Sequence, residues 1–89
     1  MEIIRKEDKI VIKDSSEIES YDFDSEINFK KLVNYLLKKN LSEKVDLNVC
    51  VDDLSEAEEN LINLIKKIID DYNNKVDEFE TFKAENNED

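Results

Sequence analysis

The stretch Val45-Asp46-Leu47-Asn48-Val49-Cys50-Val51-Asp52 decides how this chain folds. Val45, Leu47, Val49 and Val51 alternate with Asp46, Asn48, Cys50 and Asp52, so in extended backbone the two sets project to opposite faces. One face is core and the other is wet, which predicts a strand over 44–52. Just beyond it, Ser55-Glu56-Ala57-Glu58 matches a capping box, in which Ser accepts from the first turn and Glu reaches back to the Ser amide. Leu61, Leu64, Ile65, Ile68, Tyr72, Val76, Phe79 and Phe82 then recur at helical spacing, predicting a helix over 55–83. At 1.5 Å per residue such a helix is about 42 Å long. Strands of five to eight residues span only about 17–27 Å, so its last turns have to project or pack on something other than the sheet.

Upstream, Phe29, Leu32, Val33 and Leu36 fall at i, i+3, i+4 and i+7, with Tyr35 and Leu37 widening the stripe. They predict a helix over 25–40, capped by Asp24 or Ser25 and ended by Asn40 in the left-handed conformation. Lys38 and Lys39 suit its last turn, where the helix dipole favours positive charge. Ile3-Ile4 and Ile10-Val11-Ile12 are β-branched runs on either side of Glu7-Asp8, predicting a hairpin with strands near 2–6 and 9–14. Tyr21 and Phe23 alternate with Asp22 and Asp24, which permits a short third strand or an extended connection. The expected architecture is α+β, in the order ββ(β)αβα. A small antiparallel sheet, made of the hairpin and strand 44–52, is covered by two helices. Residues 1–84 form the single domain and 85–89 a polar tail.

The chain has 89 residues and a formal net charge of −11, from 24 Asp and Glu against 13 Lys and Arg. It contains no Gly, Pro, His or Trp and one Cys. The usual general base and commonest transition-metal ligand are therefore missing, as is the residue from which phosphate-cradling loops and nucleophile elbows are built. No catalytic motif is present, and the expectation is a protein that is not an enzyme and needs no cofactor. The spacing Asp46-x-Asn48-x-Cys50-x-Asp52 resembles a calcium loop, but Val51 stands where that loop needs Gly; no metal site is expected. Cys50 has no neighbouring base to favour its thiolate and no partner for a disulfide, which suits a reducing compartment. With neither a signal-peptide core nor an apolar stretch of membrane-spanning length, the expectation is a soluble, cytoplasmic protein without membrane contact.

The charge is segregated. Asp14, Glu17, Glu19, Asp22, Asp24 and Glu26 form a block with no base in it, with Tyr21 and Phe23 between the aspartates. Asp46, Asp52, Asp53, Glu56, Glu58 and Glu59 form a second base-free block. Residues two apart on an extended segment lie about 6.6 Å apart on one face, so the first block reads as a row of single negative charges comparable to a line of phosphates. The second block surrounds a helix start, where carboxylates are stabilising for local reasons. The net charge argues against direct contact with nucleic acid, despite Lys30, Lys31, Lys38, Lys39 and Lys44 around the first helix.

In size, charge and lack of catalytic residues, with the carboxylate-rich stretches Asp14–Glu26 and Asp46–Glu59, the chain resembles the small acidic inhibitors of phages and mobile elements, the anti-CRISPR and DNA-mimic anti-restriction proteins. The resemblance implies binding to the basic groove of a host nucleic-acid-binding effector, such as a CRISPR or restriction nuclease, with carboxylates standing where phosphates would. The expected contact residues are Asp14, Glu17, Glu19, Asp22, Asp24 and Glu26, with Tyr21 or Phe23 as apolar anchor and Asp52, Asp53 and Glu56 beside them. The alternative is an antitoxin, immunity or oligomeric structural protein that binds through the apolar face of the long helix. Tyr72, Val76, Phe79 and Phe82 of that face are expected to meet either the hairpin of the same chain or a second copy in a homodimer.

Overall fold

In the computed structural model, which describes residues 1–22 and 26–86, the elements run β1 (Glu2–Lys6), β2 (Lys9–Asp14), β3 (Ser16–Tyr21), α1 (Lys30–Lys39), β4 (Asn48–Val49) and α2 (Glu56–Asn86). This is the expected α+β class and element order. The hairpin strands lie where the β-branched runs put them, and residues 15–22 supply a true third strand. The sheet order is β3-β2-β1-β4.

The sheet is mixed rather than antiparallel. β1–β2 and β2–β3 are antiparallel, but β4 pairs parallel to β1. The pairing is also shorter than the 44–52 strand. Asn48 N–H donates to the Met1 carbonyl at 3.0 Å and Cys50 N–H to that of Ile3 at 2.8 Å. Ahead of this short ladder the backbone is taken by a side chain instead. Asn73 of α2 accepts from Val45 N–H (2.8 Å) and donates to the Val45 carbonyl (2.9 Å). The alternation itself survives: Val45 is buried and Leu47, Val49 and Val51 half-buried, while Asp46, Asn48, Cys50 and Asp52 are exposed. Periodicity reported which face was apolar; it did not report which partner took the backbone hydrogen bonds.

Without Gly, the tight connections put other residues at positive φ. Glu7 (58°) opens the two-residue hairpin link, Ser15 (61°) joins β2 to β3, and Asn40 (50°) and Leu41 (59°) end α1. Asn40 takes the left-handed position expected of it, its N–H donating to the Leu37 carbonyl at 3.1 Å. α1 is shorter than 25–40. It starts at Lys30, and its cap residue Phe29 offers no side-chain acceptor; Asp24 and Ser25 lie outside the described residues.

Both helices cover one face of the sheet. Ile3, Ile10, Ile12 and Tyr21 from the sheet meet Leu32 and Leu36 of α1 and Leu61, Ile62, Ile65 and Ile69 of α2. Each fully buried Ile or Leu contributes about 1.5–3 kcal/mol relative to exposure. The stripe read for the long helix is rotated by this packing. Ile62 and Ile69 are buried and Leu64 is 52% exposed. α2 continues through Glu85 and Asn86, beyond the expected start of the tail, and gives the molecule its 55 × 22 × 20 Å shape.

The capping box closes as its spacing required: Ser55 N–H donates to Glu58 Oε1 (2.9 Å) and Glu58 N–H to Ser55 Oγ (3.2 Å). Glu58 has a second task. Arg5 of β1 grips it with both terminal nitrogens, at 2.9 Å to Oε1 and 2.7 Å to Oε2. The Arg5 hydrogen bond, with those from Ser55, holds the Glu58 carboxyl down to about 2. A carboxyl lowered on folding stabilises the native state above its ordinary value near 4.5, and that contribution disappears as pH falls towards 2. Acid titrations of stability by circular dichroism should therefore show a steeper loss between pH 4.5 and 2 for the native sequence than for Glu58→Gln. Equal slopes would remove the linkage.

Candidate functional site

The first acidic block does not form a row. The β2–β3 register shifts between Ile12, which faces Glu19, and Lys13, which faces Glu17, leaving Ile18 as an extra residue. A bulge of this kind interrupts the period of two, so Glu17 and Glu19 leave on opposite faces. Glu17 stays outside, 3.7 Å from the Lys6 ammonium. Those two side chains reach over Val11, which is only 2% exposed although it points away from the helices.

Glu19 turns inward and is buried. Its Oε2 accepts from the Tyr21 hydroxyl at 2.8 Å and from Leu32 N–H at 3.2 Å. Leu32 lies in the first turn of α1, so Glu19 supplies from the sheet the cap that Phe29 cannot. Tyr21 is buried too, its ring 5.6 Å from that of Phe29. Burial, then the Glu19 hydrogen bond, push its phenol far above the ordinary value. Neither residue is available to a partner, contrary to the sequence expectation.

Asp14 accepts a hydrogen bond from the Tyr35 hydroxyl on α1, which holds its carboxyl below the usual range. Lys39 stands 5.1 Å over the Tyr35 ring and pairs with Glu43 at 3.1 Å. Asp14, like Glu19, ties α1 to the sheet. Phe23 and Asp24 lie outside the described residues.

The remaining carboxylates are gathered by topology. β2 runs against its two neighbours and β4 runs with β1, so β1, β3 and β4 all end at one edge of the sheet. The segments leaving that edge carry Glu7 and Asp8, Asp22 and Glu26, and Asp52, Asp53 and Glu56. All are exposed except the half-buried Asp22. β3 and β4 are three strand spacings apart, about 14 Å. The two acidic blocks, distant in sequence, therefore meet along one acidic edge.

Bases at this edge are largely committed. Arg5 is engaged by Glu58, which raises its pKa most, with Asp8 and Asp53 adding to the effect. Lys6 is paired with Glu17. A shallow cleft of about 210 Å³ beside Lys9 is lined by Asp22, Glu26 and Ile27, and Ile27 is 40% exposed. Glu7 and Asp8 were not singled out in the sequence, because they sit in a mixed-charge segment. Only the parallel β1–β4 pairing brings them beside Asp52 and Asp53.

The apolar face anticipated on the long helix is divided. Val76 is fully buried, on the turn where Tyr72 donates to the Glu43 carbonyl (3.1 Å) and Lys44 meets Asp77 (2.7 Å). Tyr72 is half-buried, and Phe79 and Phe82 are 38% and 61% exposed. A groove of about 400 Å³ runs between Val33, Leu36 and Leu37 of α1 and Ile68, Tyr72 and Lys75 of α2. Among the described residues no group of three His, Cys, Asp or Glu side chains is placed to hold a metal ion, and no helix is long and apolar enough to cross a membrane.

No family model, curated protein or solved structure matches the chain.

The placement of Glu19 generates a prediction. Glu19→Ala leaves the Tyr21 hydroxyl and Leu32 N–H buried without an acceptor, at a cost of about 2 kcal/mol or more. Tyr21→Phe removes one donor and costs about 1 kcal/mol. Urea unfolding should rank Glu19→Ala, then Tyr21→Phe, then the exposed Glu26→Gln, which stays within about 0.5 kcal/mol of the native chain.

Proposed function

We propose that the protein is a small acidic binding module that inhibits a nucleic-acid-binding protein by filling its basic groove with the carboxylates of this sheet edge. The observation that carries the reading is the convergence of acids from both blocks on the edge where β1, β3 and β4 end. Such a line presents to lysines and arginines what a nucleic-acid backbone presents, single negative charges spread along a ridge. Of the residues expected to bind, Asp22, Glu26, Asp52, Asp53 and Glu56 remain in this proposal, joined by Glu7 and Asp8. Tyr21 is withdrawn as the apolar anchor, and the exposed Ile27 beside Glu26 takes that role.

Arginines of the partner would meet these carboxylates in charge-assisted pairs, some of them bidentate. Exposed pairs are worth little one at a time, so affinity would come from their number and from the one apolar contact. Complementarity of this kind raises the association rate and makes it fall with salt. The resemblance to phage-type acidic inhibitors supports the same class of target, a nuclease or another effector that holds nucleic acid.

The test is capture of a partner from bacterial lysate on the native protein, eluted in steps of increasing salt, followed by kinetics with the captured protein. Glu26→Gln, Asp52→Asn, Asp53→Asn and Glu56→Gln combined should slow association by about tenfold or more and flatten its salt dependence. Asn tolerates the positive φ of Asp53 (54°), so the fold should be retained, with a small loss from Glu56 at the helix start. Unchanged association by the combined variant would transfer the reading to the apolar face of α2.

A further inference from the structure

Six large apolar side chains are exposed among the described residues, and five lie on one side of the helical layer: Val33 (41%) and Leu37 (68%) on α1, and Leu64 (52%), Phe79 and Phe82 on α2. At 100° per residue, Leu64, Ile68, Asp71, Lys75, Phe79 and Phe82 fall within an arc of about 80° on α2. This stripe is distinct from the Ile65, Ile69 and Val76 face that packs inward. Exposed apolar area concentrated in this way marks an interaction surface. The charges set into the stripe indicate what covers it.

We propose that a second copy of this chain does, with the two α2 helices packed antiparallel about a two-fold axis. A register centred on residue 73 sets Leu64 opposite Phe82 of the second copy and Ile68 within one residue of Phe79, each pair occurring twice by symmetry. The same register sets Asp71 opposite Lys75 and brings Lys67 beside Glu78, so the Lys75–Glu78 ion pair within each chain (3.2 Å) is extended across the seam by charges of opposite sign. Parallel packing would stack Lys75 on Lys75 and Asp71 on Asp71.

Long-range electrostatics select the same arrangement. Antiparallel helices put the two acidic edges at opposite ends, with the α2 N-termini about 50 Å apart from the 1.5 Å rise. That is many times the Debye length of about 8 Å at physiological ionic strength. Parallel packing would bring the two acidic edges, of chains that each carry −11, side by side. The dimer therefore hides the apolar stripe and leaves both acidic edges exposed.

Sedimentation equilibrium of the full chain over a wide concentration range tests the proposal. The expected result is reversible association from the 10.5 kDa chain to twice that mass. Leu64→Glu and Leu37→Glu, both at exposed positions, should each raise the dissociation constant at least about tenfold with unchanged far-UV circular dichroism. Asp71→Lys and Lys75→Asp should each weaken the dimer, and the double variant should recover it. A 10.5 kDa mass at every concentration would overturn the proposal and assign the stripe to a different protein. A dimer indifferent to Leu64→Glu and Leu37→Glu would place the contact elsewhere, and failure of the double swap to recover association would overturn the antiparallel register.

Discussion

Arg5 holds both carboxylate oxygens of Glu58, and the architecture depends on that contact more than on any other polar one. Glu58 completes the capping box of the longest element, and Arg5 stands on a central strand of the sheet. One bidentate, charge-assisted pair therefore sets where α2 begins, which strand it begins over and at which end. The apolar face of α2 follows from that anchor, with Leu61, Ile62, Ile65 and Ile69 laid on Ile3, Ile10 and Ile12. Because the Glu58 side chain is 11% exposed, losing Arg5 would leave a nearly buried carboxylate with only Ser55 to satisfy it.

The other helix is held by the same means in a different place. α1 carries no acidic residue in its first turn and its cap residue Phe29 makes no side-chain cap bond, so its start is held by Asn28 on Lys30 N–H and by Glu19 from β3 on Leu32 N–H, and its flank by Asp14 through Tyr35. Carboxylates that could have formed a binding surface are spent on fixing two helices to a small sheet. In a chain of this size the apolar core is limited, and charged residues take on positioning work that larger domains leave to packing. Part of the remaining negative charge is left at the sheet edge, beside the Arg5–Glu58 pair.

That division explains why the acidic blocks were legible as composition and not as a surface. A run of acids in sequence states how much negative charge a segment carries. Whether neighbouring acids share a face depends on register, and a single bulged residue, Ile18, sends Glu17 and Glu19 to opposite faces. Conversely, Asp8 and Asp53 are 45 residues apart and still act together on Arg5, because β1 and β4 run in the same direction.

The local elements were determined by the sequence itself. β-branched runs set the hairpin strands, the Ser55–Glu58 spacing set the start of α2, Asn40 set the end of α1, and the valine alternation identified the buried face of residues 45–51. Each rests on contacts within a few residues, where periodicity and capping chemistry act directly. Only the tertiary structure decided the rest. It made β4 a two-residue parallel strand because Asn73 takes the Val45 backbone. It rotated the inward face of α2 to Ile62 and Ile69, buried Val76 under the 43–45 crossing, and turned Glu19 from a surface carboxylate into the cap of α1. Those outcomes depend on which distant groups compete for a backbone hydrogen bond or a buried position, and such competition leaves no period in the sequence.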